Sequence, residues 1–479
     1  MDKNIKGGKV IASGGFGCVF SPALKCKNKK RNKNKISKLM IKKNALNEYN
    51  EIRDLSSKLS SIPKYKNFFL ISDFELCEPD KLEENDLKNF KKKCTALPKK
   101  KITEININES LSEVLALNMP YGGVTVDDFI YDNISYESLI KLNNSLMKLL
   151  IHGIIPMNKK NIYHGDIKDS NILVQYSPKT KLLDSRLIDW GLSTEYKPFI
   201  ESPFPSVWRN RPLQFNLPFS IILFTDDFLD KYTEYLEKGG LINSIDLKPF
   251  ITDYIYYWLK TRGKGHYNFI NNIMYMLYNE DYKEIKDEKI KTRMIESNIT
   301  LVFISNYLIE ILKHFTHFRE NKTLNLRIYL DKVFIETIDI WGWITNYIPV
   351  LEILFENYSS LKPTELKLFD KIKFIFVHFM YLPTIKPIDI NELIDNCDSL
   401  NNYFHSISQN NENLRENLKE KSKKSLGKKK TSSSSSSSSL GQHYLARILK
   451  STKKGRLSVK NSKTKRNKYL LFADLKNKK

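Results

Sequence analysis

With 479 residues, of which 41% are hydrophobic, the chain has the length of two or three ordinary domains and ample material for a large core, which excludes wholesale disorder. No run of 18 apolar residues occurs, and the richest stretch, Ile338 to Phe355, is broken by Asp339, Asn346 and Glu352, so no membrane span is expected. Of the net charge of +24, residues 421–479 carry +18 (19 Lys or Arg less Asp474), which leaves +6 for the rest of the chain.

The N-terminus MDKNIKGGKV has no apolar stretch of the kind secretion needs. Val10 to Phe20 reads as strand, glycine-rich turn and strand, and Ile36 to Ile41 as a further strand. Asn44 to Leu59 places Leu46, Ile52, Leu55 and Leu59 at helical spacing. Residues 80–110 are rich in Lys and Glu and read as an inserted loop. From Tyr136 onward helical patterns dominate, interrupted by two short apolar strands, Asn171 to Tyr176 and Leu182 to Ile188. The body is expected to end near Ile407. Beyond it, a Ser- and Lys-rich segment with eight serines, Ser432 to Ser439, reads as largely disordered, with His443 to Leu449 able to form a short helix on a partner. A β-rich part followed by a larger helical part is an α+β arrangement. Cys18, Cys26, Cys77, Cys94 and Cys397 are an odd set without a CxxC pair, which predicts a reducing, intracellular setting and neither a disulfide framework nor a zinc knuckle.

Two motifs carry chemistry. In IASGGFGCVF, residues 11–20, Gly14, Gly15 and Gly17 omit side chains where a backbone must approach phosphates, and Val19 can cover a base; an ordinary hairpin would show the same glycines. HGDIKDSNILV, residues 164–174, places Asp166, Lys168 and Asn171 on one loop before a strand, and LIDWGLS, residues 187–193, places Asp189 just after the next. Phosphoryl transfer needs a carboxylate to orient the attacking hydroxyl, a cation for the developing charge, and an amide and a second carboxylate to hold Mg²⁺.

These motifs, in this order, resemble the protein kinase superfamily. The resemblance implies a bilobal kinase-like fold, with residues 1–119 as the small lobe, 120–408 as the large lobe and 409–479 as a disordered tail. It implies ATP and Mg²⁺ as cofactors, with Asp166 and Lys168 catalytic and Asn171 and Asp189 as metal ligands. The nucleotide would meet Ile11, Ser13, Gly14, Gly15, Phe16, Gly17, Val19 and Lys38, the lysine being paired with Glu48 or Glu51. LNMPYGGVTVDDF, residues 117–129, resembles the hinge, with Met119 and Tyr121 beside the adenine and Asp127 or Asp128 near the ribose. DIWG, residues 339–342, resembles the Asp-x-Trp element that braces the catalytic loop. GGFGCVFSPALKC, YHGDIKDSNILV, PLQFNLPFS, GKGHYNFI, IDIWGWITNYIPVLE and IKPIDINELI carry a finer likeness to Ser/Thr protein kinases of giant DNA viruses, which implies a host-cytoplasmic or virion location.

The chain departs from the kinase pattern at several positions. Ala12 stands for the first loop glycine, Gly165 for the arginine of His-Arg-Asp, and Trp190 for the phenylalanine of Asp-Phe-Gly; the FNLP run 215–218 replaces Ala-Pro-Glu. Without that arginine, a phosphate on the activation segment has no reader. His-Gly-Asp also resembles kinase-like small-molecule phosphotransferases, but Lys168 favours a protein substrate. A pseudokinase scaffold is the non-enzyme alternative. The basic segment 421–479 is expected to tether nucleic acid or an acidic surface without sequence preference; nuclear import and simple solubilisation are the competing readings.

Overall fold

Strands β1 (Lys9–Ser13) and β2 (Gly17–Ser21) pair antiparallel across the glycine turn, and β2 pairs with β3 (Lys35–Ile41). The computed structural model describes residues 8–425 apart from residues 134, 178–179, 200–203, 318–322 and 383–384, with side chains as far as residue 409. After β4 (Glu75–Cys77), strand β5 (Val114–Pro120) inserts between β3 and β4, giving a five-stranded sheet in the order β1-β2-β3-β5-β4. The expected helix forms as α1 (Lys42–Leu59) and buries Ala45, Ile52 and Leu59. Leu46, expected on that buried face, is exposed instead, because Ala45 takes the inward position.

Residues 80–110 are a folded cap rather than a loop. Around helix α2 (Phe90–Lys93) and the single turn Pro98–Lys100, the side chains of Leu82, Phe90, Leu97, Ile102 and Ile107 share a core with Val10, Phe20 and Leu39 of the sheet. The apolar residues fall at uneven intervals among lysines, so neither a strand nor a helix period reveals them. The absence of a disulfide framework is likewise corrected: Cys18 is bonded to Cys94 and Cys26 to Cys77. The partners lie 76 and 51 residues apart; Cys18 on β2 meets Cys94 of the cap, and Cys26 meets Cys77 on β4, which spacing along the chain does not disclose. Cys397 is buried and free.

Gly122 and Gly123 lead out of β5 into β6 (Val124–Thr125), which pairs with a second, smaller sheet. A Cβ on Gly123, at φ +103°, would meet the Val174 carbonyl oxygen at 2.0 Å, so only glycine fits this crossing. Helices α3 (Val126–Asp132) and α4 (Tyr136–Leu149) follow, capped by Thr125 and Ser135. Then come β7 (Ile162–Tyr163) and the hairpin β8 (Ile172–Ser177) and β9 (Leu182–Leu187), which match the two expected strands. The rest is mostly helical, with short strand pairs at Thr194–Glu195 and at Thr316–His317 with Thr323–Leu324, and packs around fully buried Trp208, Trp258, Trp341 and Trp343. The fold is α+β, an antiparallel sheet followed by a mostly helical region.

The continuous helical stretch Glu288–Phe315 has the length and apolar content of a membrane span, although half of its most apolar part is buried inside the protein. Many of its apolar side chains, among them Ile304, Tyr307, Leu308 and Leu312, belong to the main core, while Ile290 is exposed. The last helix, Ile390–Ser425, continues past Ile407, where composition predicts the end of the body. Residues 426–479, with the serine run and most of the basic segment, lie outside the described residues.

Candidate active site

The glycine turn closes with the Gly14 N–H donating to the Gly17 carbonyl at 2.9 Å. Gly17 is packed from behind: a Cβ there would meet Met40 Cγ at 2.4 Å and the Leu39 carbonyl oxygen at 2.7 Å. Gly14 and Gly15 border open space, the nearest atom to a Cβ on Gly14 being Lys38 Cε at 4.0 Å. Ser13 anchors the turn to the cap, its Oγ accepting from the N–H groups of Thr95 at 3.1 Å and Ala96 at 3.2 Å. Ile11 and Val19 are half-buried, and Phe16 projects from the tip, 66% exposed. Ala12 is exposed, so its methyl is accommodated.

Val19 lies opposite Lys38 in the sheet. Lys38 Nζ donates to both carboxylate oxygens of Glu48 at 2.7 Å. Glu48 therefore takes the pair. Glu51 is left with a carboxyl raised above its ordinary value by burial and by the Glu48 charge, against a smaller pull from Lys38. Met119 pairs with Ile36 at the end of β5, and the Tyr121 N–H reaches the Asn34 carbonyl at 3.4 Å.

In the loop before β8, Lys168 Nζ donates to Asp166 Oδ2 at 2.7 Å, and Asn171 Nδ2 donates to the same oxygen at 3.0 Å and to the Asp166 carbonyl at 2.8 Å. The other carboxylate oxygen accepts from Asn216 Nδ2 at 2.9 Å and lies 3.6 Å from the Arg211 guanidinium. Burial alone would raise this carboxyl; Lys168, then Asn216 and Arg211, outweigh it and hold Asp166 below the ordinary carboxylate value. Asp339 lies beneath the loop, accepting the N–H of His164 on Oδ2 and of Gly165 on Oδ1, both at 2.8 Å. From the same helix, Ile335–Ile344, Trp341 Nε1 donates to the Phe215 carbonyl at 3.0 Å.

Asp189 follows β9 with a left-handed φ of +63°, a conformation Asp tolerates better than most residues. The Ile188 N–H bonds the Asn171 carbonyl at 3.0 Å, so Asp189 follows directly on the residue pinned to Asn171. Trp190 turns inward against Phe69, with ring centroids 5.6 Å apart, and His164, at 4.9 Å. The indole is buried there, with its Nε1 left without a hydrogen-bond partner among the described residues.

Among the described residues no group of three or more His, Cys, Asp and Glu is set to hold a metal by itself. Asn171 and Asp189 offer two hard oxygen ligands, a donor set that suits Mg²⁺ shared with phosphate oxygens. The open side of Gly14 and Gly15 beside Lys38 fits a polyphosphate. No family model matches the chain, and no curated protein does. Structural likeness is widespread, with 612 solved chains matching. One is the crystal structure of a kinase domain, 15% identical, with a TM-score of 0.25 over 46% of this chain and 58% of that one.

The sequence patterns single out Lys38 with Glu48 or Glu51 as its partner, the Asp166 loop and Asp189, and the structure gives the pair to Glu48. They miss Arg211 and Asn216, which contact Asp166 from 45 and 50 residues downstream (211 − 166 and 216 − 166). The one available signal was their polarity amid the apolar residues Trp208, Leu213, Phe215 and Leu217.

Proposed function

We propose that the chain is a Ser/Thr protein kinase that transfers the γ-phosphate of ATP to protein hydroxyls, with residues 1–119 and 120–408 as its two lobes. The observation that carries this reading is the buried Asp166 carboxylate, bonded by Lys168 and Asn171 of its own loop and held below its ordinary value by Lys168, Asn216 and Arg211. Asp166 orients the incoming hydroxyl and receives its proton as the hydroxyl oxygen bonds to the γ-phosphorus and the bond to the β-phosphate oxygen breaks. Lys168 stabilises the charge of the transferring group, and Lys38, fixed by Glu48, grips the α- and β-phosphates. Asn171 and Asp189 would hold Mg²⁺, which would supply positive charge to the phosphates. Ile11, Ser13, Gly14, Gly15, Phe16, Gly17 and Val19 cover the nucleotide, and Met119 and Tyr121 border its base. The motif likeness to kinases of giant DNA viruses supports a viral origin.

The test is γ-phosphate transfer by the purified full chain with Mg²⁺-ATP and a panel of basic, acidic and self substrates. Wild type should label protein Ser or Thr, and Asp189→Ala should lose at least about a hundredfold of the rate. Wild-type activity in Asp189→Ala overturns the metal assignment. Labelling of a small alcohol alone transfers the chain to the small-molecule phosphotransferases, and no transfer to any acceptor makes it a scaffold.

A further inference from the structure

Gly165 stands where the family's arginine would be, and the structure shows why no arginine fits there. Its φ is +65°, and a Cβ would meet Trp208 Nε1 at 2.6 Å and the Leu192 carbonyl oxygen at 3.0 Å. Trp208, fully buried, fills the space that a side chain at position 165 would need. A guanidinium reaches the same loop from elsewhere. Arg211, 6% exposed, donates through Nη1 to the Gly165 carbonyl at 2.5 Å and through Nε to Gln214 Oε1 at 2.8 Å, while Nη2 lies 3.6 Å from Asp166 Oδ1. The Arg211 carbonyl accepts from Trp258 Nε1 at 3.0 Å, which fastens the arginine's backbone to helix Ser244–Arg262. Asn216, fully buried, completes the contact by donating to Asp166 Oδ1 and to the Ile167 carbonyl.

We infer that Arg211 is a positioning residue that locks the Asp166 loop to the segment following Asp189, doing with a built-in contact what phosphorylation of that segment does for a kinase with His-Arg-Asp. This rests on the phosphotransfer reading. A cation so buried cannot serve an incoming phosphate: Nη1 and Nε are bonded to protein acceptors, and Nη2, without a hydrogen bond of its own among the described residues, faces the Asp166 carboxylate. The loop is therefore held in working order by packing and hydrogen bonds that no phosphatase removes.

Full-length wild type, Arg211→Lys and Arg211→Met are treated with phosphatase and assayed for kcat and ATP KM, and amide hydrogen exchange is followed across 163–168 and 208–217. Wild type should keep its activity after phosphatase. Arg211→Met should lose about tenfold or more in kcat while ATP KM stays within about threefold, since the nucleotide site is untouched. Arg211→Lys, which keeps the charge but not the planar fork of donors, should fall between the two, a graded rescue that general destabilisation would not give. Exchange in both segments should rise in Arg211→Met. Unchanged kcat in Arg211→Met, or a wild type silenced by phosphatase, overturns the lock while leaving the kinase reading intact. If wild type transfers no phosphate at all, the kinase reading fails, and unchanged exchange in Arg211→Met would separately sink the lock.

Discussion

Glu48 and Glu51 lie three positions apart on α1, yet only Glu48 bonds Lys38, through both oxygens. Glu48→Gln keeps the shape and removes the charge, so transfer should fall about tenfold or more, whereas Glu51→Gln should change it less than twofold. Equal losses in the two variants would refute the pairing. Glu352 is a different case: it is buried, accepts the hydroxyl of Tyr131, and burial raises its carboxyl to about 7. A carboxyl with a raised folded-state pKa costs stability when ionised. The cost is absent below the unfolded value near 4.5, grows as pH climbs, and is complete above about 7. Glu352→Gln should therefore raise the melting temperature by about 2–4 °C at pH 8 and leave it nearly unchanged at pH 4.5. A gain equal at both pH values would contradict this account.

At the scale of elements, the cap over residues 80–110 is tied to the glycine turn by Ser13 and by the Cys18–Cys94 bond. Ser13→Ala removes the acceptor for two cap N–H groups and should raise ATP KM about threefold to tenfold with little change in kcat. An unchanged KM would mean that the cap does not govern the turn. The parts legible from sequence share one property: each is encoded within about a dozen residues. The β1–β2 turn, α1 and the loop from His164 to Asn171 have local periods or fixed spacings, and they form where expected. Cap, disulfides, Arg211 and Asn216 depend on segments 45 or more residues apart meeting in space, and no local pattern records such meetings. Lysines on the cap's outer surface, including Lys91 to Lys93 and Lys99 to Lys101, made its buried residues harder still to recognise.

For the molecule as a whole, the proposal is that the basic segment 421–479 works as an electrostatic tether separate from the folded body. A chain truncated after residue 420 loses 18 of its 24 formal charges and should no longer bind a polyanion column at moderate salt. Its transfer to a short peptide should stay within about twofold of the full chain. Equal retention of both proteins would assign the binding to the body instead.

The sheet is packed differently on its two sides. Met40 and Leu117 belong to the same core as the buried tryptophans of the helical region, whereas Val10, Phe20 and Leu39 share a smaller one with the cap. Two separate cores in one chain allow two cooperative units, with the cap and the first strands able to open while the helices stay shut. Closing loops of 76 and 51 residues, the disulfides are worth up to about 4 kcal/mol each, less together because the loops nest. All of that is invested in the smaller unit. Reduction should thus split a single melting transition into two, with nucleotide affinity lost in the first while the Asp166 loop, held from below by Asp339, survives to the second.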